Sequence, residues 1–321
     1  MYDVVTLGES LVDFTPIIPD TGMVESEGFK KNAGGAVANV VCGVATLGGK
    51  AAFLGKIGLD PFGDFLYETF RAKNVDVKGV KRTSDAPTKL AFVNYLPNGN
   101  RDFVFWGDPS ADEIFTEDEL ECSILENTKI FHFGSISMIS DDGYKATMTA
   151  ITKAKAKGAL ISYDPNVRMR LWSNPQEAKD KIVQGLERAD IIKIADVELK
   201  ICTGTDDINE GLDILAFMGA KIVMVTCCEN GLHYKWGKHK GFLPSYKVKT
   251  VDTTGAGDSF MAALLYQIAR QDISIHDYEK DLVEGVLDFA TRAGAIVVTK
   301  PGAIPSQPTF DEVRQFKGEK Y

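Results

Sequence analysis

Val251-Asp252-Thr253-Thr254-Gly255-Ala256-Gly257-Asp258-Ser259-Phe260 is the most informative stretch of the chain. A β-rich run, Tyr246–Val251, leads into it, and a helical run, Ser259–Arg270, follows. Gly255 and Gly257 take side chains away from a tight turn, so backbone can approach a ligand closely. The first amides of a helix have no partner inside it and lie at the positive end of its dipole. Together these features make a phosphate-sized anion pocket. Asp258 falls at the start of that helix. Asp is a common N-terminal helix cap; an acid beside a phosphate cradle also suits the handling of a proton or a metal. Both readings stand at this point.

Two further stretches extend the pattern. In Asn32-Ala33-Gly34-Gly35-Ala36-Val37-Ala38-Asn39, paired glycines open a helix and Asn39 lies about one turn in. This suits a polar ligand, and equally a tightly packed helix start. In Gly8-Glu9-Ser10-Leu11-Val12-Asp13, an acid follows the first strand, Val4–Leu7. Ligands in open α/β sheets collect at the carboxyl ends of strands.

The rest of the chain alternates. Strands are expected at Ile130–Phe133, Leu160–Tyr163, Ile191–Ile194 and Ile222–Thr226. Helical windows fall at Ala36–Leu47, Phe62–Lys73, Gly143–Lys157, Pro175–Arg188, Asn209–Phe217 and Tyr278–Val297. Apolar strands alternating with helices imply a mostly parallel sheet covered on both faces. Two stretches break the rhythm. Phe14–Lys31 is rich in Pro, Gly and charge, and Lys89–Trp106 reads as a hairpin around Pro97-Asn98-Gly99. A small β-element standing off an α/β body suits both. No repeat or linker divides the 321 residues.

Composition narrows the function. Lys+Arg 36 against Asp+Glu 45 gives a formal charge of -9, which disfavours a general nucleic-acid binder. No apolar run of about 18 residues occurs, so no membrane span is expected. The start, Met1-Tyr2-Asp3-Val4-Val5, lacks a basic region and argues against a targeting peptide. Five cysteines, Cys42, Cys122, Cys202, Cys227 and Cys228, form no CxxC, and the four histidines form no HExxH. Reduced thiols and a cytoplasmic location are the expectation. GxxxxGK[ST] is absent, since Gly43 and Gly48-Gly49-Lys50 miss its spacing, and no GxGxxG follows Val4–Leu7.

The chain resembles the ribokinase-like (PfkB) sugar kinases. Asp252–Phe260 is similar to the C-terminal signature of that family. Gly34-Gly35-Ala36-Val37-Ala38-Asn39, continuing through Gly48 to Gly55-Lys56-Ile57-Gly58-Leu59-Asp60-Pro61-Phe62-Gly63, is similar to its N-terminal signature. The likeness runs from Val4 to about Pro308. Within the family it looks most like fructokinases, through Gly8–Phe14, Asp108–Asp112, Tyr163–Arg168 with Leu171-Trp172, and Lys300–Pro305.

The resemblance implies a fold and a set of roles. The fold is a single ribokinase-like three-layer α/β/α domain over 1–321, with a small β-lid from about 14–31 and 89–106. Asp258 takes the position of the catalytic base, and Gly255, Ala256 and Gly257 that of the anion hole. Asp13, Gly34, Gly35, Asn39 and Arg168 take positions of substrate contacts. Asn166, Lys193, Glu198, Thr226, Gly231 and Thr291 fall on the nucleotide side. Asp252 and Thr254 match a monovalent-cation site, with K⁺ the expected activator, and Glu198 meets Mg²⁺ through water. A sugar and ATP are the implied small-molecule partners, with no nucleic acid and no membrane, and the lids are expected to pair in a homodimer.

Two positions depart from the pattern. The family often has Asn-x-x-Glu, or Ser first, where this chain has Ala195-Asp196-Val197-Glu198. Asp196 is either a displaced substitute or a solvated acid. Fructokinases often carry an Arg where this chain has Trp106-Gly107. The resulting expectation is an ATP-dependent fructokinase that makes fructose 6-phosphate. The alternatives are a 2-keto-3-deoxygluconate kinase or other PfkB sugar kinase, with Arg168 gripping a carboxylate, and, from a different class, a catalytically inactive binding or regulatory relative. Intact Gly255-Ala256-Gly257-Asp258 speaks against the last, and the missing glycine fingerprint speaks against a dinucleotide oxidoreductase.

Overall fold

A computed structural model describes residues 1–18, 21–95, 101–271, 275 and 278–321. The strands are β1 (Tyr2–Leu7), β2 (Leu11–Pro16), β3 (Phe29–Gly34), β4 (Ala51–Gly58), β5 (Val80–Thr83), β6 (Leu90–Tyr95) and β7 (Arg101–Trp106). They continue with β8 (Thr128–Phe133), β9 (Leu160–Tyr163), β10 (Ile191–Ala195), β11 (Ile222–Thr226), β12 (Leu232–Trp236) and β13 (His239–Leu243). The α-helices are α1 (Ala36–Thr46), α2 (Pro61–Ala72), α3 (Cys122–Leu125), α4 (Asp141–Ala156) and α5 (Pro175–Leu186). After them come α6 (Leu199–Thr203), α7 (Ile208–Phe217), α8 (Ala256–Arg270), α9 (Lys280–Val297) and α10 (Phe310–Gln315).

Nine strands form the main sheet in the order β13-β12-β11-β10-β9-β8-β1-β4-β5. All neighbours from β11 to β5 run parallel, and the pairs β11–β12 and β12–β13 are antiparallel, so that β12 alone runs against the rest. Strand residues are buried on both faces because helices cover both. Val4 packs into one core with α1, α8 and α9, whereas Val5 and Leu7 pack into the other with α4 and α5. That is the period-2 alternation of a two-sided sheet. The chain leaves β1 toward β4 and β5 on one side and returns as β8, β9, β10 and β11 on the other. The carboxyl end of β1 is therefore a topological switch point, where a crevice opens.

A second sheet, β3-β2-β6-β7, stands apart from the first. Its inner aromatic residues tie it to α2: Phe14 stacks on Phe92 at 4.8 Å and meets Phe62 edge-on at 5.7 Å. α2 starts where Asp60 accepts from the amides of Phe62 and Gly63, with Pro61 in the first turn. The β element begins at Leu11, earlier than the expected Phe14, so Asp13 sits on one of its strands. β6 and β7 pair antiparallel, Leu90 opposite Trp106; the expected Pro97-Asn98-Gly99 turn lies outside the described residues.

The expected β run Tyr246–Val251 is not a strand. Tyr246 forms one isolated bridge to Lys320, Lys247 N–H bonds to Glu319, and Val251 N–H bonds to Val298. Its backbone bonds are divided between the C-terminal tail and the end of α9, so no ladder can form. No helix among the described residues is long and apolar enough to cross a membrane.

Candidate active site

The cleft lies between the carboxyl edge of the main sheet and the small sheet, and its volume is about 350 Å³. Phe103 and Phe105 of β7 line it from the small sheet. Its opposite wall is the turn from Thr253 into α8. Gly255 occupies the N-cap of α8 with φ +83°, and no side chain caps that end. A Cβ on Gly255 would come within 2.7 Å of the Ala303 Cβ, so both the backbone angle and the packing require glycine there.

Asp258 is the third residue of α8, in the first turn at its positive end. It does not cap the helix. Its Oδ2 instead accepts from Asn39 Nδ2 at 2.7 Å. Removal from bulk water pushes its pKa up to about 6. The Asn39 bond opposes that rise, the charge of Asp164 adds to it, and Lys193 and Arg168 counteract it. A carboxylate in this state is a base poised close to neutral pH.

Asp13, on β2, lines the same cleft. Desolvation, followed by the charges of Asp252 and Asp258, raises its pKa to about 7. Its carboxylate lies against Gly34, where any Cβ would collide with Oδ2. Gly35 precedes α1 with φ +106°, and a Cβ there would strike the Glu9 carbonyl at 2.5 Å. Glu9 Oε1 accepts from the Ala36 amide at 2.7 Å and so ties the first helix to the end of β1. Arg168 stands exposed at the rim, where it donates to the carbonyls of Asn166 and Val167.

Asn166, with φ +44°, also lines the cleft, as does Lys193 from β10. Lys193 is buried and paired with Asp164 Oδ2 at 2.9 Å. Glu198 accepts from the amides of Ala195 and Val167. Each Glu198 oxygen thus serves one backbone amide, and a carboxylate is the hard oxygen donor type that Mg²⁺ takes. Ala195 offers no side-chain donor. Asp196 is exposed and accepts from its neighbour's amide, Val197 N–H, which favours the solvated reading.

Three positions expected on the nucleotide side, Thr226, Gly231 and Thr291, are not among the residues lining this cleft. Thr226 ends β11 and donates to the Ile194 carbonyl at 3.3 Å. Gly231 has φ +95°, and a Cβ there would meet the Leu243 carbonyl at 2.5 Å, so the protein's own packing already requires that glycine. Thr291 bonds back to Leu287 within α9. Asp252 Oδ1 accepts from the amide and hydroxyl of Thr254 at 3.0 and 2.6 Å, and its Oδ2 accepts from the Gly302 amide at 3.0 Å. A carboxylate is a hard oxygen ligand, and both oxygens of this one accept from N–H or O–H donors of the fold.

The sequence reading gave no role to Glu9 or Asp164. Each is an acid just beyond the carboxyl end of a parallel strand, β1 and β9 respectively. That position was the available signal.

Residues 1–310 match the family described as pfkB family carbohydrate kinase. "Fructokinase-2" of Zea mays is 44% identical over 308 residues, covering 95% of this chain and 91% of its own. The fructokinase of Xylella fastidiosa with bound ATP superposes with a TM-score of 0.89 at 33% identity, covering 98% of both chains. A double-mutant fructokinase of Vibrio cholerae O395, bound to fructose, ADP and potassium ion, has a TM-score of 0.86 at 28% identity. It covers 98% of this chain and 97% of its own.

Proposed function

This chain belongs to the pfkB family of carbohydrate kinases, and from that premise we propose that it is an ATP-dependent fructokinase. The reaction is transfer of the γ-phosphoryl group of ATP to D-fructose, giving fructose 6-phosphate. The observation that carries this reading is Asp258, seated in the first turn of α8, facing a cleft that also holds Asp13. Relatives named fructokinase at 44% identity supply the sugar.

Phosphoryl transfer needs in-line positioning and charge compensation more than covalent help. Asp258 takes the proton from the attacking hydroxyl. The amides of Gly255, Ala256 and Gly257 hold charge on the transferred group. Asp13, Gly34, Gly35, Asn39 and Arg168 seat the sugar: a carboxylate accepts from hydroxyls, and an amide both donates and accepts. Asn166, Lys193, Glu198, Thr226, Gly231 and Thr291 serve the nucleotide. Glu198 would hold Mg²⁺ through water, the ion supplying charge neutralisation for the phosphates, and Asp252 with Thr254 would hold K⁺ beside the α8 turn. The chain acts as one kinase domain, with the small sheet as a lid that excludes water. Lids of two copies pair. Five free cysteines suit the cytoplasm.

The test is ADP release across ketoses, aldoses, keto-deoxy acids and nucleosides. Fructose should give the highest kcat/KM. A higher value for 2-keto-3-deoxygluconate would overturn the choice of sugar. Arg168→Ala separates the two: with fructose it lowers turnover without abolishing sugar binding, whereas a carboxylate substrate would lose a contact of roughly 1.5–3 kcal/mol in KM.

A further inference from the structure

We propose that Asp164 is a positioning residue for phosphoryl transfer: it holds the Lys193 ammonium against the Gly257 turn, where that cation faces both Asp258 and the transferred group. This rests on the kinase reading above and adds a residue to it.

The register sets up the pair. β9 and β10 run parallel with Ile191 beside Ser162 and Ile192 beside Tyr163. The next step in that register sets Lys193 beside Asp164, the first residue past β9. Ile192 and Ile194 pack into the core with α4 and α5, so Lys193 emerges on the opposite face, toward α8. Lys193 Nζ donates to Asp164 Oδ2 at 2.9 Å, and the two residues are only 7% and 4% exposed. Nζ lies 2.8 Å from where a Cβ on Gly257 would stand. Glycine at 257 is thus the condition for the ammonium to reach the anion hole. Ala195, two residues on along β10 and facing the same way, leaves Lys193 as the polar side chain that strand presents to the cleft.

A buried ion pair is weak evidence for stability, because taking both charges out of water costs about as much as their attraction returns. Its place beside Asp258 gives it a use. Asp164 fixes the ammonium and keeps it protonated: burial alone would lower the Lys193 pKa, and Asp164 and then Glu198 turn the shift upward. His132, behind the pair, bonds to Ser162 at 2.9 Å; burial lowers its pKa to about 4, so it adds no competing positive charge. Asp258 is also faced by Asp13 and Arg168, which stay in place in the variants below.

The experiment uses the full chain with Asp164→Asn, Lys193→Met and the double variant. Asp258 is followed by ¹³C-carboxylate NMR titration, assigned by its loss in Asp258→Asn. Asp164 raises the Asp258 pKa and Lys193 lowers it, so Asp164→Asn should move it down and Lys193→Met should move it up. A generally loosened fold would not give opposite signs. In turnover of fructose, kcat should fall about tenfold in Asp164→Asn and about 100-fold in Lys193→Met. The fructose KM should stay within about threefold, and the double variant should be no slower than Lys193→Met alone. Shifts of equal sign, a loss confined to KM, or a further loss on adding Asp164→Asn to Lys193→Met would overturn the proposal. If Asp164→Asn does not fold, Asp164→Glu keeps the charge and displaces the ammonium; a kcat equal to that of the parent protein would then overturn it. Failure of the parent protein to phosphorylate fructose would refute the fructokinase reading, while the titrations would still decide the pair.

Discussion

Asn39 Nδ2 donates to Asp258 Oδ2 at 2.7 Å, across 219 positions of sequence. The bond joins the two glycine turns through their most chemically active members. It also gives Asn39 a second task beside the sugar binding proposed for it, because an amide donor favours the ionised carboxylate. Asn39→Ala should therefore raise the Asp258 pKa above about 6. The acidic limb of kcat/KM should move to higher pH, with a larger loss at pH 6.5 than at pH 8.5. A uniform loss across the pH range would show that Asn39 serves the sugar alone.

Asp258, the proposed base, costs the fold stability when it is ionised. Its native pKa of about 6 lies above the ordinary aspartate value of 3.8, so the native state binds the proton more tightly than the unfolded chain does. The resulting penalty is complete above pH 6 and disappears as the pH falls through 3.8. Asp258→Asn should lower kcat by roughly 10²–10⁴ with ATP binding kept. The same variant should be more stable at pH 7.5, by on the order of 1–3 kcal/mol, with the gain shrinking toward pH 4. Thermal denaturation at both pH values measures it, and an unchanged difference would refute the linkage.

Asp252 closes a loop by holding Thr254 on one oxygen and Gly302 on the other. A K⁺ ion beside it would add positive field near the α8 turn. At constant ionic strength, activity should rise when Na⁺ or tetramethylammonium is replaced by K⁺. Asp252→Ala should abolish that rise. A flat response in the parent protein would leave Asp252 as a structural tie only.

Local patterns carried much of this architecture. β9 and β11 were read at Leu160–Tyr163 and Ile222–Thr226, because each is a compact apolar run. β12 and β13 went unread. Leu232, Tyr234 and Trp236 do alternate inward, but His233 and Lys235 between them dilute the apolar signal. Tyr246–Val251 misled in the other direction, since β-rich composition cannot say whether a partner strand is present. At the site, Asp13, Asn39 and Asp258 were legible through their motifs. Asp164 was not, because its meaning depends on the register between β9 and β10.

Cys228 has φ +50° on an exposed 3₁₀ turn between β11 and β12. A side chain in this left-handed region carries a cost that glycine avoids, roughly 1 kcal/mol. Cys228→Gly should stabilise the fold by up to that amount, the gain being reduced by the extra freedom of glycine in the unfolded chain. Chemical denaturation measures it; a loss of stability would show that the Cys228 side chain contributes more than its backbone costs.

β7 has two unlike faces. Phe103 and Phe105 line the cleft, whereas Val104 and Trp106 point outward with 40% and 69% exposure. β7 is also an edge of the small sheet, and an exposed apolar edge invites pairing with another strand or sheet. A second copy of the chain, meeting it face to face, would cover both residues. Sedimentation should therefore give twice the 35.1 kDa chain mass. Trp106→Glu places a charge in that contact and should yield monomers. Because the inner face of the same strand touches the cleft, the variant should also raise the fructose KM while leaving ATP binding nearly unchanged. A parent protein that sediments as a monomer would exclude pairing, and a monomeric Trp106→Glu with an unaltered fructose KM would separate pairing from the sugar site.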